Sequence, residues 1–194
     1  MYRILNRIRK HKNQKIQTSR YWQNNGNISH CKRFHGKTGK SKSMGGATNW
    51  PPTELIANDI ENGNSYVCLN NNKIIATFFF VQGKDIEPTY AEITNGSWID
   101  DALYGVIHRI ASDGTKRGVG SFCINWAYEQ CNHLRIDTHV DNLIMQNLLE
   151  KLGFIHCGTI YVEKDNYPRL AYEKQENRLI ITNMAKNLFF NDNF

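Results

Sequence analysis

From Tyr104 to Glu173 the chain reads as strand, glycine-bearing turn, helix, strand, helix, strand, with its polar residues gathered at the junctions. Tyr104-Gly105-Val106-Ile107-His108-Arg109-Ile110-Ala111 is an apolar run of strand length, closed by the turn formers Ser112-Asp113-Gly114. Thr115-Lys116-Arg117-Gly118-Val119-Gly120-Ser121 then opens into a helix, whose apolar face is carried by Val119, Phe122, Cys123, Trp126 and Ala127 at spacings of three and four. Leu134 to His139 alternates like a strand. Asp141 or Asn142 can cap a helix bearing Ile144, Leu148, Leu149 and Leu152, which Gly153 ends. An order of elements like this places anion-binding backbone at the junctions.

The junction at Gly118 and Gly120 is where that chemistry concentrates. Bare backbone at a helix start leaves successive N–H groups unpaired, and the helix dipole adds roughly half a positive charge. Lys116 and Arg117 stand beside it. Two phosphates of a pyrophosphate suit such a place better than one carboxylate, because several charge-assisted bonds of about 1.5–3 kcal/mol each are on offer. The turn lacks the third glycine of a dinucleotide fingerprint and the Gly-Lys-Ser/Thr of a P-loop.

Thr115-x-x-Gly118-x-Gly120, followed by Asn142 eleven residues before Gly153, resembles the acetyl-CoA core of the GNAT superfamily of N-acetyltransferases. The resemblance covers about Ser65 to Lys174, with Pro51 to Gly63 as a preceding helix. It implies an α/β fold with a mixed, mostly antiparallel central sheet flanked by helices, and acetyl-CoA as cosubstrate with no metal. It further implies that the amides of Gly118, Val119, Gly120 and Ser121 hold the pyrophosphate with help from Lys116 and Arg117. The pantetheine arm would run beside Ile110 and Asn142. Thr115 stands where the family usually has Gln or Arg, and Leu149 stands where it often has a tyrosine that protonates the leaving thiolate.

Two residues are candidates for proton transfer. His108 lies two before Ile110 and is expected on the same face of its strand, where it acts either as a base, directly or through water, or as a hydrogen-bonded core histidine. Tyr161, in the strand Ile155 to Val162, could replace the missing acid, or it simply packs. Asp137 and His139 tie the strand end to the next helix or join the site. The acceptor is expected to be a small-molecule or peptide amine, and a homodimer is left open.

Before the glycine turn, Ser65 to Leu69 and Lys73 to Val81 form a hairpin through Asn70-Asn71-Asn72, with further strands expected at Thr89 to Ile93 and Trp98 to Asp101. The last strand is expected at Arg169 to Glu173, turning through Asn166-Tyr167-Pro168. The longest apolar run, Ile74 to Val81, is too short to span a bilayer, and no signal peptide is read at the start. The five cysteines have no paired spacing, which suits reduced thiols and a cytoplasmic protein.

Charge sets off a basic segment 1–47, and the resemblance implies an acetyltransferase domain 48–174 followed by an extension 175–194. Residues 1–44 hold 12 of the 24 Lys and Arg and no Asp or Glu, so residues 45–194 carry 12 − 18 = −6. One reading of the basic segment is a disordered arm for nucleic acid, which would make the chain a nucleic-acid-binding protein with a vestigial or regulatory acyl-CoA-binding domain. The arm has neither a helix stripe nor a regular Arg-Gly or Ser-Arg repetition, and it occupies the place where the resemblance implies the first strand and helices, which argues against it. Another reading is out-of-frame translation from about Lys12 to Met44, which would explain both the acid-free composition and the absence of recognisable first elements.

Overall fold

The computed structural model describes residues 14–18, 51–162 and 165–176. Its elements are β1 (Gln14–Thr18), α1 (Thr53–Glu61), β2 (Ser65–Asn70), β3 (Lys73–Gly83), a 3₁₀ turn (Pro88–Tyr90), β4 (Tyr104–Ser112), α2 (Val119–Cys131), β5 (His133–His139), α3 (Leu143–Lys151), β6 (Ile155–Val162) and β7 (Asp165–Gln175). The seven strands form one sheet in the order β1-β2-β3-β4-β5-β7-β6. All neighbours are antiparallel except β4 and β5. That single parallel pair exists because α2 crosses over between its two strands.

The sheet is covered on both faces, which is why its central strands are nearly continuous apolar runs. On one face α2 buries Val119, Cys123 and Ala127, spaced four apart, together with Ile124, against Phe78, Phe80, Ile107, Leu134 and Ile136. Leu149 of α3 closes the same core. On the opposite face the segment between β3 and β4 packs Ile86, Tyr90, Ile93 and Trp98 onto Tyr104, Val106, Ile160 and Ala171.

That segment is not the pair of strands expected at Thr89–Ile93 and Trp98–Asp101. It contributes the 3₁₀ turn and one isolated bridge, Thr94 to Thr159. The residues it packs down, Ile86, Tyr90, Ile93 and Trp98, are spaced four, three and five apart, as a loop crossing the sheet sets them and not as strand pleating would. β7 likewise begins at Asp165, and Asn166-Tyr167-Pro168 lies inside it. Pro168 pairs with Tyr161 of β6, while β5 ends opposite Arg169, so the missing N–H breaks no bond to β5.

Gln14–Thr18 falls in the segment read from composition as disordered or out of frame. It forms the edge strand, pairing with β2 from Gln14↔Asn70 to Thr18↔Tyr66. Ile16 turns inward against the main core. The rest of the basic segment and most of the C-terminal extension lie outside the described residues.

Candidate active site

β4 and β5 pair only at Gly105↔Leu134 and Val106↔Arg135. Beyond that point β4 stays paired with β3 as far as Ser112, and β5 stays paired with β7 as far as His139. Two strand edges, Ile107 to Ser112 and Ile136 to His139, therefore face each other across a gap with backbone groups unpaired between them. Unpaired edges of this kind accept an extended ligand through main-chain hydrogen bonds.

A β-bulge opens the gap. Thr77 pairs with Ala111 and Phe79 with His108, so Arg109 and Ile110 together oppose Phe78. Arg109 has φ 51°, a left-handed conformation that a long side chain adopts only under constraint. Its guanidinium donates to Asp59 of α1 at 2.6 Å and lies 4.5 Å from the centroid of Phe79. The extra residue also reverses the face alternation. Ile110 packs on the α2 side, whereas His108 meets the opposite face, contrary to the shared face expected from their spacing.

α2 and α3 both start at the open end of the gap, after the C-terminal ends of the two parallel strands, where open α/β sheets place their ligands. Gly118 caps α2 with φ 81°, and a Cβ there would meet nothing within 4 Å, so backbone conformation rather than space demands glycine. A Cβ on Gly120 would lie 3.4 Å from Leu148 Cδ2 of α3. Val119 is buried, Gly120 and Ser121 are partly exposed, and the first amides of the helix have no intrahelical acceptor. Arg117 is exposed, while Lys116 reaches away to Asn70 Oδ1 at 3.0 Å. Asn142 caps α3, its Oδ1 accepting from Met145 N at 3.3 Å. Leu149 is fully buried and takes no part in the gap.

Acidic and aromatic residues gather around His108. Its Nε2 lies 2.8 Å from Glu87 Oε2, and its Nδ1 lies 3.6 Å from Asp137 Oδ1 on β5, across the gap. Tyr90 donates its O–H to the same Asp137 oxygen at 2.8 Å, and Arg169 Nη1 stands 3.7 Å from Asp137 Oδ2. Phe79 stacks on the imidazole and Tyr90 meets it edge-on. Burial alone would raise the Glu87 carboxyl, but hydrogen bonds and charge from His108, with hydrogen bonds from Thr89, outweigh it and bring it down to about 2. Burial pushes the Tyr90 hydroxyl well up, and Asp137 adds to this, so it remains a donor.

Tyr161 is elsewhere. It sits on β6, three strand positions from β4 and so roughly 14 Å away laterally. It is 53% exposed and makes no hydrogen bond to the cluster around His108. Glu87 and Tyr90 were not singled out from sequence, because nothing local marks a loop residue that meets a strand 21 positions later. The Glu87-Pro88 pair was the one available signal, since a carboxylate before proline is a good start for a helical turn. Among the described residues, no three His, Cys, Asp or Glu side chains stand together as metal ligands, and no helix is long and apolar enough to cross a membrane.

No family model matches the chain, and no curated protein sequence does. Solved structures do. A GNAT-family acetyltransferase from Streptococcus agalactiae is 25% identical, with 84% of this chain and 96% of that one aligned and a TM-score of 0.66. Arabidopsis thaliana NAA60, solved with acetyl-CoA, aligns over 84% and 99% at 10% identity, with a TM-score of 0.58. Arabidopsis thaliana Naa50, solved with the bisubstrate analogue CoA-Ac-MVNAL, aligns over 84% and 99% at 14% identity and 0.56. With its parted β4 and β5, its glycine-capped α2 and these alignments, the chain has the fold of the GNAT-family acetyltransferases.

Proposed function

We propose that this chain is an acetyl-CoA-dependent N-acetyltransferase acting on a primary amine by direct attack. The observation that carries the reading is the loss of β4–β5 pairing after Val106, with the start of α2 at the open end of the gap. The residues fit such a cosubstrate: Ile110 and its neighbours offer an unpaired strand edge to the pantetheine arm, and Asn142 borders it. The amides of Gly118 to Ser121 and the Arg117 guanidinium would hold the pyrophosphate, and Lys116 would add its charge on exchanging Asn70 for a phosphate.

Acetyl-CoA supplies an acyl group activated as a thioester. His108 then has two duties at one atom. Its Nδ1 takes the proton released as the amine becomes an amide, and can return it to the leaving sulfur, so no acid is needed at Leu149. The loop of Glu87 to Trp98 covers the His108 face and limits water there, while the gap aligns the reactants. Structures of this fold solved with a Gag peptide and CoA and with the bisubstrate analogue CoA-Ac-MVNAL support a peptide amine as one acceptor class. Buried, unbridged Cys68, Cys123 and Cys157 suit the reducing cytoplasm.

A panel of small-molecule and peptide amines, assayed with acetyl-CoA for thiol release, tests this. At least one amine should give turnover, and His108→Ala should lower it about 10²-fold with acetyl-CoA affinity retained. Absence of turnover with every amine of the panel would contradict acetyl transfer. An unchanged rate in the folded His108 variant would remove the base.

A further inference from the structure

His108 presents two nitrogens to two carboxylates in unequal ways, and the inequality decides where a proton can move. Glu87 is the first residue of the 3₁₀ turn's cap, and its two oxygens have separate tasks. Oε1 accepts from the Thr89 hydroxyl at 2.7 Å and from the Thr89 amide at 3.3 Å. Oε2 is left for His108 Nε2 at 2.8 Å, a full hydrogen bond. Since an ionised carboxylate only accepts, Nε2 must carry the hydrogen. On the other side, 3.6 Å to Asp137 is beyond a direct hydrogen bond. Asp137 is occupied by the Tyr90 hydroxyl and faces Arg169. The remaining charges near the ring, Asp59 of α1 and the adjacent Arg109, are paired with each other.

We propose that Glu87 is a positioning residue for acetyl transfer, holding the His108 hydrogen on Nε2 so that Nδ1, the nitrogen facing β5 across the gap, is the atom that exchanges protons. The inference rests on the acetyltransferase reading. Phe79 and Tyr90 fix the plane of the ring, and Glu87 fixes its tautomer. Glu87 arrives from a loop that covers the sheet, so the same segment that shapes the acceptor side also sets the base. His108 in this arrangement exchanges one proton at one atom, and Glu87 stays ionised throughout.

Glu87→Gln tests the assignment in the full chain. The Gln carbonyl can still accept from Thr89, which preserves the cap, but its amide then donates to His108 Nε2 and drives the hydrogen to Nδ1. Long-range ¹H–¹⁵N correlation spectra of the ring in its neutral form, with His108 assigned through His108→Gln, should show an Nε2–H ring in the native protein and an Nδ1–H ring in the Glu87 variant. Turnover should fall about tenfold or more while the acetyl-CoA Kd stays within about twofold. A native ring protonated at Nδ1, or a Glu87→Gln protein with native tautomer and native turnover, overturns the role of Glu87 and leaves acetyl transfer standing. A native protein that shows no acetyl-CoA binding and no turnover overturns both readings.

Discussion

Glu87 carries a consequence for acid stability that does not depend on catalysis. Its folded value of about 2 lies below the ordinary 4.5, so the folded state binds this proton less readily than the unfolded chain does. The stabilisation is therefore complete above the ordinary value and is lost as pH falls from there towards about 2. Glu173 acts with the same sign. Burial would raise it, but His133, the Ile99 amide and Arg135 hold it below the usual range. Thermal melts across this pH range should show Tm falling as the medium becomes acid, and Glu87→Gln should flatten part of that fall. Superimposable pH profiles for native and variant protein would contradict the account. The glycines at 118 and 120 and the cap at Asn142 were legible in the sequence because helix starts follow local rules. The partners of His108 were not, since Glu87, Tyr90 and Asp137 reach it through the tertiary fold.

The decisive element is β4 with its bulge. Arg109 sits in a left-handed conformation that costs a non-glycine residue roughly 1–2 kcal/mol. It is held there by Asp59, whose carboxyl burial raises in spite of the neighbouring guanidinium. The two halves of this ion pair should respond differently to removal. Asp59→Ala strands a guanidinium that cannot shed its charge and should cost about 3 kcal/mol or more. Arg109→Gly relieves the backbone and leaves a carboxyl that can take up a proton, so its cost should be clearly smaller. Urea unfolding of both variants checks this, and equal losses would contradict the pairing argument. The strands and helices from β4 to α3 could be read from periodicity, because each is buried on a regular stripe. The bulge could not, since Arg109 and Ile110 look like ordinary strand residues. The face of His108 was misread for that reason, and the segment between β3 and β4, expected as two strands, touches the sheet backbone through the single bridge of Thr94 to Thr159.

At the scale of the whole molecule, five antiparallel neighbours and one parallel pair give the sheet a single place where adjacent strands can part without losing an edge. Both helices of the parallel pair begin there, and the His108 cluster lies on the other face of the same opening. A ligand lying in the gap would thus meet helix amides at its open end and have the His108 imidazole with its carboxylate partners beside it. β1 extends the sheet at its far edge, with Gln17 exposed, and it leaves the gap untouched. Residues 45–194 carry a net charge of −6, and Lys116 and Arg117 bring positive charge beside the start of α2. Titration calorimetry of acetyl-CoA into the native protein and into Gly120→Asp tests the central claim most directly. Saturable binding at one site per chain is predicted, falling at least about 100-fold in the variant, because a carboxylate at the helix start opposes the phosphates, while the melting temperature changes little. Undiminished affinity in the variant, or no binding by the folded native protein, would contradict it.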